Sequence, residues 1–243
     1  MGIALAGFRP RRGLGGPISV VFSQIVGDRT NLATWQVVLP DPGSLLVGDV
    51  VVSNVSINNG IFDSPVPESI GWTLIGSVSQ IGNSRNYSSQ TFARRVASAG
   101  SLSLADRTFK FFTNFINSES AASIIVLRGV RNSGVITADF GGIAHSTITF
   151  PDPPAAVRPS PVSISRGGAG RLAISFGHVD AGTLGPSAPG WTRLSQQSYT
   201  GLNGTGQAYC EAQYFPSLGT TSQVAPTPSP IAQGYGLVHA IAP

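Results

Sequence analysis

The chain repeats itself, and that repetition constrains what it can fold into more than any other feature. In the first half Gly48 opens the apolar run Asp49-Val50-Val51-Val52-Ser53-Asn54-Val55-Ser56-Ile57. A loop carrying Pro65 and Pro67 follows and leads to Gly71-Trp72-Thr73-Leu74. In the second half Gly170 opens Arg171-Leu172-Ala173-Ile174-Ser175-Phe176-Gly177-His178-Val179. A loop carrying Pro186 and Pro189 then leads to Gly190-Trp191-Thr192-Arg193-Leu194. Further on, Gln90-Thr91-Phe92-Ala93 is answered by Gln207-Ala208-Tyr209-Cys210, and the closing run Ser123–Val130 by Gly236–Pro243. Collinear matches in this order mark a duplication, with repeats at about 48–130 and 170–243.

The repeated unit reads as β-structure. Short runs rich in Val, Ile, Phe, Tyr and Thr are separated throughout by Gly, Pro, Asn and Ser, which is the pattern of a sandwich or barrel. Val50 to Ile57 is apolar on both parities at its start and on one at its end, whereas Ile124-Ile125-Val126-Leu127 is continuously apolar, as a central strand covered on both faces must be. Leu102–Leu104 is expected to add a short strand, and Phe109 to Ile116 suits a strand or irregular edge better than a helix, because Phe, Thr and Asn disfavour helix interiors. The expectation is an all-β, jelly-roll-like sandwich of two related halves over residues 18–243, preceded by an extended Gly- and Pro-rich arm over 1–17. Residues 151–161, "PDPPAAVRPSP", are the expected connection between the halves. Halves this short bury little core alone, so one unit with a shared core is favoured over two lobes. Trp72 and Trp191 are expected to plug equivalent core ends.

Charge narrows the function classes. Only 11% of the residues are charged, against roughly 25% in ordinary soluble proteins. The surface is therefore wetted by Ser, Thr, Asn, Gln and backbone, as in β-proteins packed into assemblies or working outside cells. The net charge of +4 comes from 15 basic and 11 acidic residues scattered along the chain, and Lys110 is the only lysine. The single basic cluster, Arg9, Arg11 and Arg12, is too small for a nucleic-acid footprint and is read as part of a flexible tail whose arginines dock on a neighbouring subunit or on nothing. A lone cysteine, Cys210, excludes an internal disulfide framework and is expected to be a small buried hydrophobe. No run of about 18 apolar residues is present to span a membrane as a helix.

Chemistry-bearing patterns are sparse. No serine sits in a Gly-x-Ser-x-Gly turn. His145, His178 and His239 lack metal-ligand spacing, and His178 with Asp180 is expected to be a structural pair. Asp28, Asp41, Asp63, Asp106 and Asp152 read as turn formers. Glycoside chemistry would require Asp63 or Glu68 to approach Asp180 or Glu211. Gly167-Gly168-Ala169-Gly170 precedes a strand, so it reads as a hairpin turn and not as a phosphate cradle. The expectation is a non-enzyme with no catalytic, cofactor-binding or metal-ligating residues. Trp35, Tyr87, Tyr199 and Tyr209 are the aromatic candidates for stacking on a glycan.

With the repeat in view, "GDVVVSNV", "VPESIGWTLIGS", "TFARRVA", "ASIIVLRGV" and "SAPGWTRL" give the chain a resemblance to the β-sandwich proteins of tailed-bacteriophage particles, of the tail-fibre, minor-tail, head-decoration or spike type. The resemblance implies a structural protein displayed on the virion after assembly in the host cytoplasm. It implies contacts to other virion proteins through the arm, homo-oligomerisation, and a part in host attachment. It supplies no site residues. A carbohydrate-binding module for host-surface glycans is the alternative, with a polysaccharide-cleaving enzyme on the same scaffold behind it.

Overall fold

Alternating and continuous apolar runs need layers on both sides of a strand, and the computed structural model supplies them. It describes residues 18–30, 34–58, 66–81, 86–112, 118–146, 163–164, 171–179, 183–184, 186–187, 189–201, 204–215, 219–220, 228–229 and 234–241. The strands are numbered in chain order. One five-stranded antiparallel sheet contains β1 (Ser19–Thr30), β3 (Val50–Asn58), β5 (Thr73–Ile81), β6 (Asn86–Arg95) and β8 (Ser118–Arg128), in the order β1-β8-β3-β6-β5. A second contains β9 (Phe140–Ser146), β11 (Arg171–Val179), β13 (Thr192–Gly201), β14 (Gly204–Phe215) and β17 (Gly234–Ile241), in the order β9-β17-β11-β14-β13. The strand order of the second sheet is that of the first, strand for strand.

Shorter strands lie between these. β2 (Thr34–Val38), β7 (Thr108–Phe112) and β4 (Val66–Pro67) form a three-stranded sheet in that order. In the second half β12 (Thr183–Leu184) pairs with β16 (Pro228–Ser229), and β10 (Ser163–Ile164) with β15 (Gly219–Thr220). Within the first half, successive strands pass between the large and small sheets in jelly-roll fashion. The protein is thus an all-β, jelly-roll-like sandwich of two related halves.

The duplication extends to register. Thr73 faces Ala93 and Thr192 faces Ala212, and both hairpins then bulge two residues on, between Leu74 and Gly76 and between Arg193 and Ser195. Each is entered through a glycine with positive φ, 103° at Gly71 and 84° at Gly190, a conformation that disfavours any residue with a Cβ. The register equates Phe92 with Glu211, so the sequence match of Gln90 to Gln207 is two residues out. A shift of two keeps every side chain on its face, which is why the wrong match still looked regular.

The halves also meet earlier than the composition implied. β9 already belongs to the second sheet, where it occupies the place β1 holds in the first. The crossing therefore runs through 129–139, and residues 151–161 fall inside the second half, outside the described residues. Leu102–Leu104 does not form a strand. Ser103 and Asp106 form a reciprocal capping box that starts a one-turn helix, α1 (Leu104–Arg107). The Phe109 segment is a strand to Phe112, as expected.

Two apolar cores result. Val50, Val52, Ile125 and Leu127 of the first large sheet pack against Leu172, Ile174, Phe176, Cys210 and Ala212 of the second. The opposite face of the first sheet, with Val51, Val55, Phe92, Ile124 and Val126, packs on Val37, Leu39 and Phe109 beneath the three-stranded sheet. Cys210 is the buried hydrophobe expected, and burial, aided by the charge of Glu211 and opposed by the Ser23 hydroxyl, pushes its thiol far up from its ordinary pKa. Trp72 is half-buried, edge-on to Phe109 with ring centroids 5.4 Å apart, and its Nε1 donates to the Asp106 carbonyl at 3.0 Å. Trp191, at the equivalent turn, is buried.

Phe176 is fully buried where the two large sheets meet. Phe176→Ala is expected to cost about 3–5 kcal/mol, read as a lower urea midpoint with an unchanged slope.

Candidate functional site

Among the described residues the halves differ on the outer faces of their large sheets. Where the first half places Phe92 opposite Leu74, the second places Glu211 opposite Arg193. Ala208, Cys210 and Ala212 of β14 point into the shared core, so strand alternation turns Tyr209 and Glu211 outward. They are nevertheless buried.

Glu211 is held by its Oε1. Arg193 Nε donates to it at 2.9 Å and Ser187 Oγ at 2.5 Å. The Arg193 guanidinium also sits 5.6 Å from the centroid of the Tyr209 ring, a cation–π distance. Tyr209 lies over its cross-strand partner Gly177, where a Cβ would come within 1.9 Å of the ring. Only glycine leaves room for the phenol. Burial, reinforced by the negative Glu211, raises the Tyr209 pKa far above its usual value, while the Ser175 hydroxyl and Arg193 work the other way. The phenol is neutral at any ordinary pH.

Glu211 Oε2 is fully buried without a hydrogen-bond partner among the described residues, and Tyr209 Oη and Ser175 Oγ, buried beside it, are close enough for the Ser175 hydroxyl to act on the phenol but make no hydrogen bond of good geometry. Ser175 faces Glu211 directly across the β11–β14 pair, and Tyr209 is two positions along. One such orphan costs about 1–3 kcal/mol.

The other described carboxylates serve the fold. Asp49 accepts both Arg128 Nε and Nη2 at 2.8 Å, together with the Leu46 amide. Asp139 accepts Arg95 Nη2 at 2.8 Å and the Ser133 amide at 3.0 Å, and Arg95 also reaches the Gly48 and Arg131 carbonyls. This network pins the crossing between the halves to one end of the first sheet. Asp106 binds Arg94 and caps α1, Glu68 pairs with Lys110 at 2.9 Å, and Asp41 accepts the Gly43 amide in a turn. Burial pushes the Asp49 carboxyl up, but hydrogen bonds from Arg128 and Leu46 and the Arg128 charge outweigh it, leaving a lowered pKa. Asp106 is lowered in the same way, with burial opposed by Ser69, Arg94 and Ser103.

Of the expected contact aromatics, Tyr199 and Tyr209 are 7% and 1% exposed and offer no ring face to a glycan. Tyr199 is wedged between Gly27 of β1 and Gly206 of β14, and so belongs to the core between the large sheets. Trp35 lies on β2 and Tyr87 on β6, but their side chains are outside the described residues. Arg9, Arg11, Arg12, Asp63, Asp152 and Asp180 are outside them too, as are the side chains of Asp28 and the three histidines, which sit on β9, β11 and β17. Of the acidic residues required for glycoside chemistry, Glu68 and Glu211 are each paired with a cation.

Among the described residues no group of three or more His, Cys, Asp or Glu is placed to hold a metal ion, and no helix is long and apolar enough to cross a membrane. No protein-family model, curated protein or solved structure matches the chain.

Two outcomes are expected. Arg193→Ala leaves a buried carboxylate uncompensated and should cost about 3–5 kcal/mol, whereas Arg193→Leu with Glu211→Phe, the first-half pair, should retain most of the stability, both read by urea unfolding. The lowered pKa values of Asp49 and Asp106 mean that their contribution is present above the ordinary value of 3.8 and is lost as pH falls through the depressed folded values. The acid-side loss of stability should accordingly be shallower in Asp49→Asn than in the parent chain.

Proposed function

We propose that this chain is a structural, surface-displayed component of a tailed-phage or phage-like particle. On this reading Arg9, Arg11 and Arg12 of the arm anchor it to other virion proteins, it associates with further copies of itself, and its exposed loops serve host attachment. It is assembled in the host cytoplasm and carries no catalytic centre.

The observation that supports this reading best is how the charge is used. Every carboxylate whose side chain is described is engaged inside the fold by an arginine, a lysine or a backbone amide, on a scaffold whose apolar layers are fully built. With Tyr199 and Tyr209 buried, glycan binding rests on Trp35 and Tyr87 alone.

The test is incorporation. Deleting residues 2–17 should remove the protein from assembled particles without changing its thermal melt, and particles that retain the truncated chain at the parental level would rule the anchoring role out.

A further inference from the structure

The two large sheets end in four edge strands, β1 and β5 in the first and β9 and β13 in the second, and these are not equally guarded. An edge strand presents a row of unpaired N–H and C=O groups, which proteins blunt with charge, proline, a bulge, short length or a covering segment. β1 carries Asp28 and Arg29, β13 carries Arg193, and the two lie along each other, joined by the 2.7 Å hydrogen bond between Ser23 and Ser195. β9 is seven residues long and begins Phe140-Gly141-Gly142, and glycine weakens a strand. β5 has none of these guards except a bulge near its start, between Leu74 and Gly76.

Beyond the bulge, Gly76-Ser77-Val78-Ser79-Gln80-Ile81 pairs with β6 without a shift in register, from Gly76 opposite Thr91 to Ile81 opposite Asn86. This stretch holds no charge and no proline. Among the described residues β6 is its one strand neighbour. β9 belongs to the other sheet and meets β5 across the shared core, where Ile75 and Phe140 are buried, so it does not cover the edge of β5 in the plane of the sheet. The exposed side chains described on β5, Leu74 and Ser77, offer a foreign peptide no charge to recognise. A copy of β5 suits the edge better. Antiparallel pairing about a two-fold axis at Val78 sets Ser77 opposite Ser79 and Gly76 opposite Gln80, and because the strand is uncharged no register sets like charges against each other. The five-stranded sheets of the two copies then continue as one sheet of ten strands.

We propose that β5 is the edge through which this protein associates with itself, pairing antiparallel with β5 of a second copy across a two-fold axis. The inference rests on the self-association in the proposed reading, to which it gives an interface, and does not depend on a virion role.

Sedimentation equilibrium of the full chain tests this. The parent should sediment as a reversible dimer of the 25.1 kDa chain. Ser77 is exposed, and the two copies of it lie diagonally across the two-fold, within reach of long side chains. Ser77→Lys should therefore raise the dissociation constant at least about tenfold while leaving the circular dichroism spectrum unchanged. Ser77→Glu should do the same, and Ser77→Thr should not. An equimolar mixture of the Ser77→Lys and Ser77→Glu chains should restore the dimer, because opposite charges then meet across the axis; damage to the fold would not be repaired by mixing. A parent that stays monomeric as its concentration rises would overturn both the inference and the self-association it rests on. An oligomer that survives Ser77→Lys would overturn the inference alone, as would one lost in both charged variants and not restored in their mixture.

Discussion

The apolar face shared by the two large sheets is the interaction on which the rest of the structure depends. Val50-Val51-Val52 and Ile124-Ile125-Val126-Leu127 are buried residue after residue, because the sheet they build is covered on one side by its own half and on the other by the second half. β1 of the first half lies against β13 of the second, and β5 of the first against β9 of the second. Since β13 is the counterpart of β5 and β9 of β1, each half presents the same pair of strands to the other. This is the self-complementary contact of a two-fold dimer, contained within one chain. Ser23 and Ser195 share a hydrogen bond of 2.7 Å across it, and the Tyr199 ring sits against Gly27.

Once that contact is fixed, the halves are free to differ on their outer faces. The first half keeps an apolar face, Phe92 and Val55 against Phe109, beneath its three-stranded sheet. The second places Glu211, Tyr209 and Ser175 at the corresponding depth, with Arg193 as counter-charge and Glu211 Oε2 left without a hydrogen-bond partner among the described residues. A buried ion pair is weak evidence for stability by itself. Here it marks a place where the second half has departed from the first.

Much of the fold was legible in the sequence, because strands declare themselves by alternation and the duplication by repeated turns. β17 covers the closing apolar run from Gly236 to Ile241, starting two residues before it, and both Gly-Trp-Thr turns sit at equivalent strand starts. β9 was not legible: Gly141 and Gly142 dilute its apolar pattern, so the second repeat looked shorter than it is. Tyr199 and Tyr209 looked like surface aromatics because a ring packed over glycine leaves no mark at its own position. The Glu211 pair was only half legible. Alternation through Ala208, Cys210 and Ala212 turns Glu211 to the opposite face, but counting back across residues 202–203 places Leu194 opposite it, and the bulge between Arg193 and Ser195 is what brings Arg193 there.

The central claim is that the halves form one sandwich through a common core. Differential scanning calorimetry of residues 18–243 tests it most directly, because a cooperative unit has equal calorimetric and van't Hoff enthalpies. The account predicts a single transition with a ratio near one. Two resolved transitions, or a calorimetric enthalpy about twice the van't Hoff value, would show halves that unfold independently and would contradict it.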